Sequence, residues 1–416
     1  MTSNAGADYP TIASREKLTI TGGTITSANS VAVLNESGTT EISGGTIEAT
    51  NYLAVCSDSG NLSITGGKIT SDFITVGIST GTASISGGEI YSSSSQAIIN
   101  MASLDISGTT KIYTDDSITI VNDVGANLKI TGGTITSNAH ALYNNGGTAE
   151  ISGTVKISAG NVLYSAVNNQ EEGTLTIKGG IITSTSVAVN NTGGTINISG
   201  GEIYSSDRHA IVNNSIMNIS GTAEISSGKF DYPTVYNRNG GTLEITGGTI
   251  TSTVATVGIR NESGTVNISG GEIYVSAGNT IVNQSTMNIS GIAKISSGDG
   301  EYPTIHNIGG TLTITGGTIT STGIGIFNES GTANISGGEI YSSGNNAIDN
   351  YAKVNISGTA KISSDSSKHP AVYNQSGGTL TVKGGTISNT AGNYSVYNEG
   401  TASVSGATIT GPKYGC

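Results

Sequence analysis

Apolar and polar residues alternate with period two along nearly the whole chain, in bursts of three or four residues. Each burst is cut off by glycine, serine or asparagine. The stretch from Leu312 to Thr332, LTITGGTITSTGIGIFNESGT, shows the unit cleanly. It reads Leu-x-Ile-x-Gly-Gly-x-Ile-x-Ser, a variable loop, Ala-Val-x-Asn, and a Gly/Ser/Thr turn. Period-two alternation places apolar side chains on one face of a strand. Ile, Val and Thr suit pleated surfaces, and Gly-Gly, Asn and Ser mark corners. Helical periodicity is absent from the pattern.

The unit recurs from Leu18 to Ala402 in 17 steps averaging about 22.6 residues, giving 17 complete units and a partial one. Repeats of this length, each with three short strands, describe the coils of a solenoid. About 18 coils of 21–26 residues at roughly 4.8 Å per strand spacing would make a rod of about 85 Å. A second cycle overlies the first, because Leu175, Leu243, Leu312 and Leu380 head blocks of three coils. The expected organisation is a partial coil over 1–17, a helix of 17 coils over 18–401, and a partial coil and tail over 402–416.

This pattern resembles the right-handed parallel β-helix proteins of the pectin-lyase-like class. More narrowly, it is similar to Gly/Ser/Thr-rich repeat proteins of bacterial surfaces, including adhesin-like ones. The resemblance implies an all-β fold, right-handed coiling, and a place outside the cell or on its surface. It also implies work as a structural or adhesive element, with a glycan or host-surface ligand. Depolymerases and phage fibres with similar coils supply the alternatives.

Composition narrows the choices. Glycine is 62 of 416 residues and there is no Trp, so a wide globular core could not be filled. A net charge of −12 disfavours an electrostatic nucleic-acid surface. No apolar run approaches the ~20 residues of a membrane span, and the first residues lack the basic and apolar regions of a secretory signal. Cys56 and Cys416 are too few for a disulfide framework.

The repeated positions suggest roles. Asn closes the third strand in 15 of 17 coils, with Ser57 and Thr80 in the other two. Stacked asparagines can bond from coil to coil. Glu89 and Lys111, Glu272 and Lys294, and Glu339 and Lys361 lie one coil apart, as cross-strand ion pairs would. Tyr91, Tyr204, Tyr274 and Tyr341 recur on the second strand and are candidate ligand-facing residues, since rows of Tyr can stack on sugars.

Catalysis would need grouped carboxylates, or carboxylates with Arg or Lys, around one bond. The sequence displays no such cluster and none of the common nucleophile or phosphate motifs. Asp115-Asp116 and Glu171-Glu172 read as solvated turns. Asp207-Arg208-His209 is one compact charged loop. The four histidines sit in separate coils without metal-ligand spacing, and no cofactor is expected. The two ends look complementary: Tyr9, Thr11 and Ile12 match a third strand, and Val404 and Ile409 belong to first and second strands. Two readings fit equally: head-to-tail self-association through these residues, with Cys416 near the junction, or a chain that is a fragment of a longer repeat protein cut between coils.

Overall fold

The computed structural model describes residues 2–3, 9–228, 231–252, 257–298 and 300–411. The period-two bursts form strands, and the chain is an all-β parallel β-solenoid of about 18 turns. No helix occurs among the described residues. The chain divides into two compact units, Met1–Ser206 and Asp207–Cys416.

Within each unit every strand pairs in parallel with its counterpart one turn away. In the first unit Leu62 lies beside Ala83 and Ile64 beside Ile85. In the second, Leu312 lies beside Ala333 and Ile314 beside Ile335. Register keeps like on like. Ile245, Ile268, Ile289, Ile314 and Ile335 follow one another through consecutive turns, all 0–1% exposed. This narrow stack is the core that a chain without Trp can fill.

Serine closing the second strand is also buried, and its hydroxyl bonds the backbone of the preceding turn's loop and of its own. Ser92 Oγ donates to the Phe73 carbonyl and accepts from the Ser95 amide. At the corner entering the first strand the chain needs a left-handed residue with no side chain. Gly331 has φ +85°, and a Cβ there would lie 2.2 Å from the Gly310 carbonyl oxygen, so only glycine fits.

Some corners are smoother than the sequence suggests. Thr174–Ser184 and Thr195–Ser205 each run through a Gly-Gly corner as one strand, and Ile305–Ile314 and Ile326–Ile335 join third to first strands. The register slips locally at these corners, between Ile177 and Lys178 and between Asn307 and Ile308. There the backbone keeps pairing where turns were expected to break it.

The asparagines form an interior ladder. In the first unit Asn100 Nδ2 donates to Asn122 Oδ1 at 2.8 Å, and the chain continues through Asn144 and Asn169 to Asn191. In the second unit it runs unbroken from Asn213 to Asn398, at 2.7–3.0 Å per step. Asn100 through Asn374 are 0% exposed where they form these rungs, so the stripe is structural. Each amide also reaches a backbone carbonyl, as Asn237 does to Gly241 at 2.8 Å.

One rung corrects the sequence reading. Ile78, not Thr80, stands between Ser57 and Asn100. Thr80 is exposed beyond the strand and donates to the Asp58 carbonyl. At the N-terminal end, Ile12–Ser14 is a third strand beside Val33–Asn35, as expected. However, Thr2–Ser3 already pairs with Thr26–Ser27 of a second strand. At the C-terminal end Thr408–Thr410 is a second strand beside Thr386–Ser388.

Candidate functional site

Inward positions of the third strand are taken by the apolar stack and by asparagine. The residue between them must therefore point outward. In the second unit these residues follow in register on successive turns: Val212, Tyr236, Arg260, Val282, His306, Phe327, Asp349, Tyr373 and Tyr397. The column is unlike the Thr, Ser and Asn that fill most other outward positions.

Its rings touch one another and their neighbours. His306 and Phe327 have centroids 4.9 Å apart, and Tyr351 meets Phe327 edge-on at 5.6 Å. Tyr373 meets Tyr397 at 5.3 Å, and Tyr394 stacks on Tyr397 at 5.5 Å. Tyr351, Tyr394 and Tyr397 are 47%, 65% and 40% exposed. His306 Nε2 lies 2.7 Å from a Glu329 carboxylate oxygen. Asp349 is nearly buried; burial pushes its carboxyl up, opposed by a hydrogen bond from Gln375.

At the other end of the same column lies a cationic cluster. Arg208 Cζ sits 5.6 Å from the Tyr232 ring centre, and Arg238 Cζ sits 5.3 Å from that of Tyr236. Arg238 Nε donates to Asn214 Oδ1, and Arg260 Nε and Nη2 donate to Gln284 Oε1. The Tyr236 hydroxyl donates to Glu262. His209 packs between Tyr232 and Tyr236, with ring centres 5.2 and 5.1 Å away. Its Nδ1–H donates to the Pro233 carbonyl at 2.7 Å.

Burial pushes His209 down to about 4; Arg238, Arg208 and Arg260 lower it further, and the bond to Pro233 opposes the change. The imidazole is neutral at neutral pH. Because the folded-state value lies below the ordinary 6.5, the unfolded chain takes up the proton first. The stabilising contribution is complete above pH 6.5 and is lost as pH falls from about 6.5 to about 4. It amounts to at most ~3 kcal/mol, at ~1.36 kcal/mol per pH unit. His209→Gln should therefore show a smaller fall in urea midpoint between pH 7.5 and pH 4 than the wild type. Equal falls would contradict this assignment. His140 in the first unit, lowered mainly by burial, bonds the Ser165 carbonyl in the same way. It leaves part of the acid sensitivity in place.

The residues singled out in the sequence lie outside this column. Tyr91, Tyr204, Tyr274 and Tyr341 are all half-buried on second strands. Tyr91 donates to Asp115 and packs on Tyr113 at 4.7 Å, and Tyr341 donates to Asp365. Thr11 and Ile12 are half-buried in the first turn, where Thr11 Oγ1 bonds the Thr26 carbonyl. Tyr9 is 73% exposed. Val404 and Ile409, 50% and 40% exposed, lie on the last strands; Ile409 lines a recess of about 510 Å3 with Tyr394 and Val396. Cys416 lies outside the described residues.

The Glu/Lys pairs share register as expected but form no ion pair. The Tyr113 hydroxyl takes the Glu89 carboxylate, and Lys111 Nζ lies 4.5 Å from the Tyr113 ring centre. Ion pairs form instead at first strands and nearby corners, as Lys17 with Glu41 at 3.1 Å and Lys178 with Glu150 at 2.6 Å. These exposed pairs add little stability. Among the described residues no group of three or more His, Cys, Asp or Glu is arranged to hold a metal, and no helix is long and apolar enough to cross a membrane.

In the sequence this column is masked by the more regular Asn that follows it. The signal lay one residue earlier, in Val-Tyr-Asn, Ile-Arg-Asn, Ile-His-Asn and Ile-Phe-Asn. The geometry defines the class, a parallel β-solenoid with an aromatic and cationic outward face. No protein-family model, curated protein or solved structure matches the chain.

Proposed function

We propose that this protein is a non-catalytic β-solenoid scaffold, structural or adhesive, working outside the cell, and that it binds a glycan or surface ligand through the third-strand face of its second unit. The carrying observation is two aromatic groups on this column, Phe327 with Tyr351 and Tyr373 with Tyr394 and Tyr397, on either side of Asp349 and several of them well exposed. Exposed rings offer a large apolar area with a polar tip, which suits sugar rings and protein partners. The extracellular, bacterial setting rests on the resemblance to surface repeat proteins.

The arginine cluster favours binding over catalysis. Guanidinium groups keep their protons at ordinary pH, and Glu262 is engaged by Tyr236. In a panel of immobilised glycans and surface extracts, Tyr373→Ala with Tyr397→Ala should weaken binding at least tenfold while the circular dichroism spectrum stays unchanged. Incubation with acidic or neutral polysaccharides should release no reducing ends above buffer. Release that one substitution abolishes would replace this reading with an enzyme acting on polysaccharide.

A further inference from the structure

Arg208, Arg238 and Arg260 are three of the four arginines in a chain of net charge −12. Separated by 30 and 22 residues in sequence, they are gathered on one face by the turn-to-turn register. Tyr236 is in register with Arg260, and Arg238 follows the same strand as Tyr236. The hydrogen bonds of Arg238 and Arg260 go to the neutral amide oxygens of Asn214 and Gln284. Neither forms an ion pair among the described residues. The Arg238 guanidinium is half-buried over the Tyr236 ring and bonds Asn214 through Nε.

We propose that Arg208, Tyr232, Tyr236, Arg238 and Arg260 form a subsite for an anionic sugar, one carrying a carboxylate or a sulfate. The inference rests on the glycan-binding reading and names its chemistry. Guanidinium forks match carboxylate and sulfate oxygens in a way that a neutral sugar cannot exploit. The Tyr232 and Tyr236 rings hold the Arg208 and Arg238 guanidinium groups in place by cation–π contact. Successive turns rise by roughly 4.8 Å, so an acidic glycan lying along the column meets cationic groups on consecutive turns. Nucleic acid has the same sign of charge at higher density, and the net −12 of the chain opposes its approach.

The test uses the full chain and isothermal titration at low and moderate salt. The probes are a hyaluronan octasaccharide, a chondroitin sulfate octasaccharide, a neutral N-acetylglucosamine hexamer and an oligothymidylate. The expected result is binding of an acidic octasaccharide at least tenfold tighter than the neutral hexamer, weakening with salt. Equal binding of hyaluronan and chondroitin sulfate would identify carboxylate as the recognised group; preference for chondroitin sulfate would identify sulfate. Arg238→Gln with Arg260→Gln should remove that preference while the circular dichroism spectrum stays unchanged. Arg238→Lys should restore part of the affinity in the single variant, since it keeps the charge but loses the fork. Acidic probes binding no better than the neutral hexamer, or unaffected by the double variant, would overturn the subsite while the glycan reading stands. Oligothymidylate bound equally well and lost with the same variant would overturn it in favour of general polyanion attraction. Binding of no saccharide at all would overturn both.

Discussion

Replacing Ile314 with Asp should unfold the turns around it at temperatures where the wild type is intact. Ile314 is 0% exposed and stacks between Ile289 and Ile335. A carboxylate there has no partner, and even the protonated acid costs about 2–7 kcal/mol without a hydrogen bond. Loss of the isoleucine packing adds to this. In a solenoid each turn is held mainly by its neighbours, so the damage spreads to adjacent turns before it reaches distant ones. Two comparisons locate the effect. Ile314→Val should cost only about 0.5–1.5 kcal/mol. Thr313→Asp, on the outward side of the same strand, should stay within about 0.5 kcal/mol. Thermal unfolding followed by circular dichroism reads all three. A wild-type midpoint for Ile314→Asp would show that the inward register is wrong.

Asn283→Leu should be the next most damaging change, at about 2–4 kcal/mol. Asn283 accepts from Asn261 at 3.0 Å and donates to Asn307 at 2.8 Å, and its Oδ1 also receives the Ser285 amide at 3.3 Å. Leucine matches its size but makes none of these bonds. The Asn307 oxygen would be left buried without a partner, at about 1–3 kcal/mol before relaxation, and the half-buried Ser285 amide would lose its bond as well. Asn261 fares better because its amide keeps the Thr286 carbonyl at 2.8 Å. Ile78 shows that a rung can be apolar where the turns on either side carry Ser57 and Asn100. The variant should therefore fold, with a lower urea midpoint. An unchanged midpoint would mean that the ladder contributes no net stability.

Burial of the first-strand Leu and Ile and of the third-strand Asn was legible in the residues themselves. A period of two leaves each strand residue only two directions, and the buried stack accepts only apolar groups or amides that bond to their copies above and below. Repetition of the same local choice in every unit then made parallel stacking the one arrangement that buries them all.

What lies on the outside followed a different rule. An outward side chain has no fixed partner in its own turn, so its neighbours depend on register and on corners of variable length. Tertiary structure alone decided that Tyr113, rather than Lys111, takes the Glu89 carboxylate. It also placed Ile78 rather than Thr80 on the asparagine line, and Arg208, Arg238 and Arg260 around one pair of tyrosines. The physical reason is that the interior is set by a repeated short-range pattern, whereas the outward face is set by contacts between turns 20 to 30 residues apart, which no single unit of the repeat contains.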